Sequence, residues 1–412
     1  NTTSRVVKNT FFLYLLTFSN YFIGLLIFPY LSRVLSVEGF GLVGFSMAYV
    51  LIFQVFVEFG FMISATAKVS KHRSSSEKVS EIISATMFAK TILTVISIIL
   101  FCLSAIFVPI VRDHVLIVSL FLISSLLSAM LPDFFFRGIE KMKPITIRTV
   151  ASRVLSLLLI IAFVRDESQI ALIPISFIVG NLLALVITVI AMVKAGVKFR
   201  RVQVKQAMAS IKESLMFFFS RIAVGINQFT GAFLVGFKFS PTSIEAGIFS
   251  GATRISTASE MMLAPVSDSL YPHMVNKKDY GLFRKVVLGG GAIWFFVCVL
   301  VFIFASDICR IILGPDYLAA GDLLRVLLFG NFMAFFSNMF GYNALVPIGK
   351  SNHANIALLV SAGFNVLAYG VLWSTNSISL ITICIVMAST NFIVFGYRGS
   401  VFWNNRHLTR TV

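Results

Sequence analysis

Ser214-Leu-Met-Phe-Phe-Phe-Ser-Arg-Ile-Ala-Val-Gly-Ile-Asn-Gln-Phe-Thr-Gly-Ala-Phe-Leu-Val-Gly-Phe237 is long and apolar enough to cross a bilayer, with Arg221 well inside it. About 20 such residues span the hydrocarbon as a helix. The run is apolar on every side and does not alternate, as a lipid-facing helix requires and a barrel strand does not. The next run, Ala246 to Leu270, holds Arg254 in the same way. Inserting a mid-helix arginine costs roughly 2.5 to 3.5 kcal/mol, so each needs a reason to be there. Two on neighbouring spans point to an anionic ligand inside the membrane.

Working outward, runs of this kind recur from Phe11–Leu31 through Leu42–Thr66 and Ile82–Val108 to Ile378–Phe402, about twelve in all. The 412 residues are 58% hydrophobic and only 12% charged, with a mean hydropathy of +0.93, more than a soluble core can hide. The expected fold class is all-α, a polytopic membrane protein. The basic stretch from Lys194 to Lys212 divides it into two six-helix bundles, residues 1–200 and 201–412. The first run is too long for a signal-peptide core and is expected to remain as a span.

The net charge of +17 follows topology, so it does not imply nucleic acid. One set of connections carries most of the Lys and Arg, including Lys68, Arg73, Arg137, Lys141, Arg148, Lys194, Arg200 and Lys277. The opposite set carries Arg33, Arg112, Arg165, Lys238 and Arg310. The positive-inside rule places the basic loops and both termini in the cytoplasm. The four cysteines and five histidines are dispersed without metal-ligand spacing, and no metal site or cofactor is expected.

A weak internal echo supports two halves. Leu35-Ser-Val-Glu-Gly-Phe-Gly-Leu-Val-Gly-Phe-Ser46 resembles Phe239-Ser-Pro-Thr-Ser-Ile-Glu-Ala-Gly-Ile-Phe-Ser250, each a polar turn leading into a helix that opens with Gly41 or Gly247. Repeats starting on the same side are related by an axis along the membrane normal, which lets two bundles rock. Prolines such as Pro132, Pro174 and Pro265 can kink their helices.

At 100° per residue, Arg221, Gly225, Gln228 and Ala232 share a stripe, and so do Arg254, Ala258, Met261 and Asp268. Glu260 points elsewhere. The second span carries Gln54 and Glu58 one turn apart, and the first carries Asn20. The expected ligand-binding set is Arg221, Arg254, Gln228, Asn20 and Lys90, with Glu58, Asp268 and Glu260 as counter-ions or carriers of a coupling H+ or Na+. The competing reading is internal pairing, for example Arg221 with Glu58. Lys90, Arg153, Arg325 and Arg398 sit where a long side chain can reach the interface.

Four segments carry a resemblance: Phe28-Pro-Tyr-Leu-Ser-Arg-Val-Leu-Ser-Val-Glu-Gly-Phe-Gly41, Glu58-Phe-Gly-Phe-Met-Ile-Ser-Ala-Thr66, Phe136-Arg-Gly-Ile-Glu-Lys-Met-Lys143 and Leu313-Gly-Pro-Asp-Tyr317. In this order they resemble the Wzx polysaccharide-unit flippases of the multidrug/oligosaccharidyl-lipid/polysaccharide superfamily. Arg137 departs from the glutamine that many relatives have. The resemblance implies alternating access by two MATE-like bundles. It also implies a non-enzymatic role: moving undecaprenyl-diphosphate-linked oligosaccharide repeats to the periplasmic leaflet for O-antigen assembly. Membrane lipids, a polysaccharide polymerase and a chain-length regulator are the implied partners. A cation-exporting drug transporter would instead place carboxylates inside, and a glycan polymerase or ligase would need a long outer loop. Arg221 and Arg254 disfavour the first, and the short outward connections, the longest being Ser306 to Asp322, disfavour the second.

Overall fold

The computed structural model describes residues 26–409, which are helical and, among the described residues, without strands. Among the described residues, ten helical segments are long and apolar enough to cross a membrane. Of the twelve expected spans, the first lies mostly outside the described residues, and with it Asn20. The eighth is broken.

The order is α1 (26–34), α2 (Val37–Glu58), α3 (Phe61–Lys71), α4 (Ser76–Phe107), α5 (Pro109–Asp113), α6 (Val115–Ala129), α7 (Asp133–Gly138), α8 (Lys143–Phe163) and α9 (Leu172–Lys194). Then come α10 (Val204–Phe239), α11 (Ile244–Met261), α12 (Ala264–Lys277), α13 (Tyr280–Ile303), α14 (Ala305–Leu313), α15 (Ala320–Asn338), α16 (Ser351–Ser374) and α17 (Leu380–Asn404).

Several spans read as single helices are interrupted. Phe59 and Gly60, with φ of 43° and 78°, part α2 from α3. Pro132 ends the gap between α6 and α7, and Pro265 lies in the first turn of α12 just beyond a turn at Met262 and Leu263. A proline cannot donate to the preceding turn, so a helix restarts there at little cost. After α15 the chain passes through a π-helical turn, Met339–Asn343, where Gly341 leaves helical geometry. Pro174, by contrast, sits in the first turn of α9 and breaks nothing.

The described chain falls into two compact units. One holds residues 26–35 and Ser46–Gly225; the other holds Ser36–Phe45 and residues 226–409. Both α2 and α10 therefore contribute to each unit.

In the first unit α8 packs on α9 through small residues. A Cβ on Gly180 would meet the Ser152 carbonyl at 2.7 Å, and the Ser156 hydroxyl donates to the Ser176 carbonyl at 3.0 Å. Such small-residue faces let membrane helices approach closely where lipid offers no hydrophobic drive. The basic linker is shorter than the sequence suggests, because α10 begins at Val204. What remains is strapped to the start of α4: the Lys198 and Arg200 amides donate to Ser80 and Ser84 at 3.1 and 3.0 Å, and Arg200 pairs with Glu77 at 2.7 Å. The first half of α10 runs beside α3, joined by a Lys68–Glu213 ion pair, a 2.6 Å hydroxyl contact between Ser64 and Ser214, and Phe59 stacked on Phe218 at 4.1 Å.

In the second unit α15 packs against α17, α11 and α13. Buried Asn331 ties three of these helices together. Its amide donates to Ser259 Oγ at 2.6 Å, its Oδ1 accepts from Ser256 at 3.0 Å and its carbonyl accepts from Trp294 Nε1 at 3.0 Å. Asn227, Ser361, Asn365 and Thr390 form a second uncharged network joining α10, α16 and α17. Asp279 caps α13; its bond from the Leu282 amide, then its neighbour His273, hold its carboxyl below the usual carboxylate range.

Candidate functional site

Arg221 does not stand alone on α10. Its Nη2 donates to Glu58 Oε2 at 2.7 Å, and Gln54 Nε2 donates to the other carboxylate oxygen at 3.0 Å. The pairing considered as the competing reading is therefore present, yet the Arg221 side chain keeps 44% of its surface open. Glu58 is the last residue of α2, where helix carbonyls disfavour a negative charge. Arg221 offsets that.

Gln228, two turns along α10, is exposed, and Gly225 between them is buried. Arg254 on α11 is half-buried. Asp268, however, lies exposed on α12, beyond the turn at Met262 and Leu263. That turn interrupts the helical phase, so the stripe expected to join Arg254 to Asp268 is not continuous. Glu260, near the end of α11, accepts from Asn391 Nδ2 at 3.2 Å.

Lys90 is 4% exposed and does not reach an interface. Its ammonium donates to the carbonyls of Ala129 at 2.7 Å and Leu131 at 3.2 Å, and lies 5.7 Å from the Phe134 ring centre. It thus satisfies carbonyls that the interruption between α6 and α7 orphans, at the negative end of α6. Arg398 is likewise buried, donating to the Ser337 carbonyl at the end of α15 and to Ala354 O in α16, both at 2.7 Å. The expectation of a snorkelling Arg398 is replaced by a cap on a broken helix.

Lys90 also lines a cavity of about 230 Å³ inside the first unit, with Glu58, Asp133, Arg137, Arg148 and Arg153 among its walls. Four cations face two carboxylates. Arg148, placed by the sequence reading in a loop, is 2% exposed within α8; it pairs with Asp133 and donates to Thr188 Oγ1 at 3.0 Å. Arg137 and Arg153 enter no ion pair among the described residues. This cluster is hidden in the sequence, because Arg137 and Arg148 fall in a basic connection and Arg153 close to a span end. The available signal was Pro132-Asp133 after an apolar run, since a carboxylate at a helix break needs a cation.

Residues 6–277 match the family model described as "Polysaccharide biosynthesis protein", about two thirds of the chain. The chain belongs to that family. Two curated relatives share the printed name "Putative O-antigen transporter". The one from Escherichia coli (strain K12) is 29% identical over 86% of this chain and 87% of its own length. The one from Shigella dysenteriae is 26% identical over 83% and 87%. Among solved structures, one titled "Lipid II flippase MurJ, inward closed conformation" aligns with a TM-score of 0.75 at 16% identity, over 95% of this chain and 87% of that one. A MATE family multidrug transporter of the MOP superfamily aligns at 0.62 and 13% identity, over 93% and 99%. These two show the fold. The kinship expected from the four sequence segments holds, and this family member is an all-α, multi-pass membrane protein.

Proposed function

We propose that this chain moves an undecaprenyl-diphosphate-linked oligosaccharide repeat from the cytoplasmic to the periplasmic leaflet of a bacterial inner membrane, with both termini in the cytoplasm. The observation that carries this is Arg221: a guanidinium well inside a membrane helix, held by one carboxylate and still open to a ligand. Family membership and the relatives' names support a glycan cargo. A diphosphate oxygen pair matches the guanidinium fork bidentately and competes with Glu58 for it. Arg254 and Gln228 are the further donors that the sequence offers for the cargo. Cargo binding thereby releases the Glu58 carboxylate, which makes it the first candidate to carry a coupling H+ or Na+; Glu260 and Asp268 are the others. A polymerase and a chain-length regulator would receive the repeat on the far side.

Arg221→Ala or Arg254→Ala is expected to abolish glycan export while the protein still inserts, and Lys at either position to restore part of it, because a point charge survives without the fork. Cell-surface glycan and accumulated untranslocated lipid-linked units are the readouts. Undiminished export in both alanine variants would sink the reading.

A further inference from the structure

The cavity inside the first unit has cations in excess of what its own carboxylates occupy. Asp133 is engaged by Arg148, and Glu58, on another wall, is engaged by Arg221. Among the described residues, that leaves Arg137, Arg153 and the Lys90 ammonium, which holds two carbonyls, lining the space without an ion-pair carboxylate of their own. Two guanidinium nitrogens, Arg137 Nε and Arg148 Nε, are buried and have no hydrogen-bond partner among the described residues, and Arg148 as a whole is 2% exposed. A buried donor left unmade costs about 1 to 3 kcal/mol, more when charged, and such groups ordinarily find a partner. Ser128, Thr149 and Asn181 add neutral polar wall.

We infer that this cavity is an anion-binding subsite for a phosphate or diphosphate group. Its volume of about 230 Å³ decides the size of the ligand. Pockets for drug-sized molecules run from roughly 300 to 1,000 Å³, so a phosphate-bearing headgroup fits and an oligosaccharide repeat does not. The donors match: guanidinium groups pair with phosphate oxygens through two parallel N–H bonds, and the ammonium adds a point charge. Glu58 links the subsite to Arg221, being wall to one and partner to the other. Identifying the anion as part of the cargo rests on the proposed transport; the subsite itself does not.

The test uses the full-length protein in detergent, titrated calorimetrically with inorganic pyrophosphate and with farnesyl diphosphate. Arg153→Gln and Arg137→Gln are expected to weaken both about tenfold or more. Thr149→Phe, which fills the space and removes no charge, is expected to weaken them as well. Arg153 is exposed, so its variant should keep the wild-type melting temperature and serve if Arg137→Gln does not fold. Tighter binding of farnesyl diphosphate than of pyrophosphate assigns the site to a lipid headgroup, and equal affinity to a free phosphate; both fit the subsite. No binding by the wild type, or unchanged affinity in folded Arg153→Gln and Thr149→Phe, overturns it. Should the wild type bind pyrophosphate at these residues yet flip no lipid-linked saccharide in liposomes, the subsite stands and the transport reading falls.

Discussion

Lys90 and Arg398 show why a charge inside a membrane helix is not by itself a ligand site. Each is almost sealed, and each spends its donors on main-chain carbonyls at or beside a point where a span breaks. A carbonyl without a donor in hydrocarbon costs several kcal/mol, which is commensurate with burying the cation that satisfies it. Arg221 differs, since its partner is a single side chain and nearly half of it stays open. Lys90→Met, close in volume, removes the donor and leaves Ala129 O and Leu131 O unmet. It is expected to destabilise the protein by about 1 to 3 kcal/mol, read as an earlier melting transition in detergent. A melting temperature equal to wild type would mean that water caps these carbonyls just as well.

Helix breaks and close crossings do the architectural work among the elements. The two echoing segments meet inside the second unit: a Cβ on Gly41 would lie 2.7 Å from the Gly247 amide nitrogen and 2.9 Å from the Pro241 carbonyl. A Cβ on Gly247 would in turn run into the Val37 carbonyl. Both obstacles are backbone, so neither can swing aside. Phe40 then packs edge-on against Tyr317 at 5.6 Å. Tyr317 is 1% exposed and belongs to this core. Gly247→Ala should cost about 1 to 3 kcal/mol through overpacking, measurable as lower thermal stability. Gly363→Ala is its control, because nothing lies within 4 Å of a Cβ there. Equal loss in both would assign the effect to backbone propensity and dismiss the crossing.

Taken whole, the molecule spends its acidic residues sparingly and its basic ones lavishly, 17 against 34. For a cargo of about two negative charges, an inside-negative potential favours outward movement by roughly 4 to 5 kcal/mol per 100 mV. In proteoliposomes holding a lipid-linked saccharide, an imposed potential of that sign should speed translocation, and reversing it should slow translocation. A rate indifferent to potential but responsive to a proton or sodium gradient would instead place the drive on Glu58, Glu260 or Asp268.

The all-helical class, the number of spans near twelve and the family kinship were legible in the chain, because lipid demands long apolar segments and leaves no room for other backbone. So were Arg221 and Glu58 as possible partners, each being a charge where charge is costly. Where a span stops being a helix was less legible: Phe59 carries a positive φ that its identity does not announce, and the α11–α12 turn separates Arg254 from Asp268 in spite of their spacing. Nor does spacing reveal that Arg148 is buried on Asp133 while Arg137 and Arg153 line the same cavity. Burial and partnership depend on which helices pack side by side, and in a chain apolar on every face the hydrophobic pattern carries no mark of which face meets which.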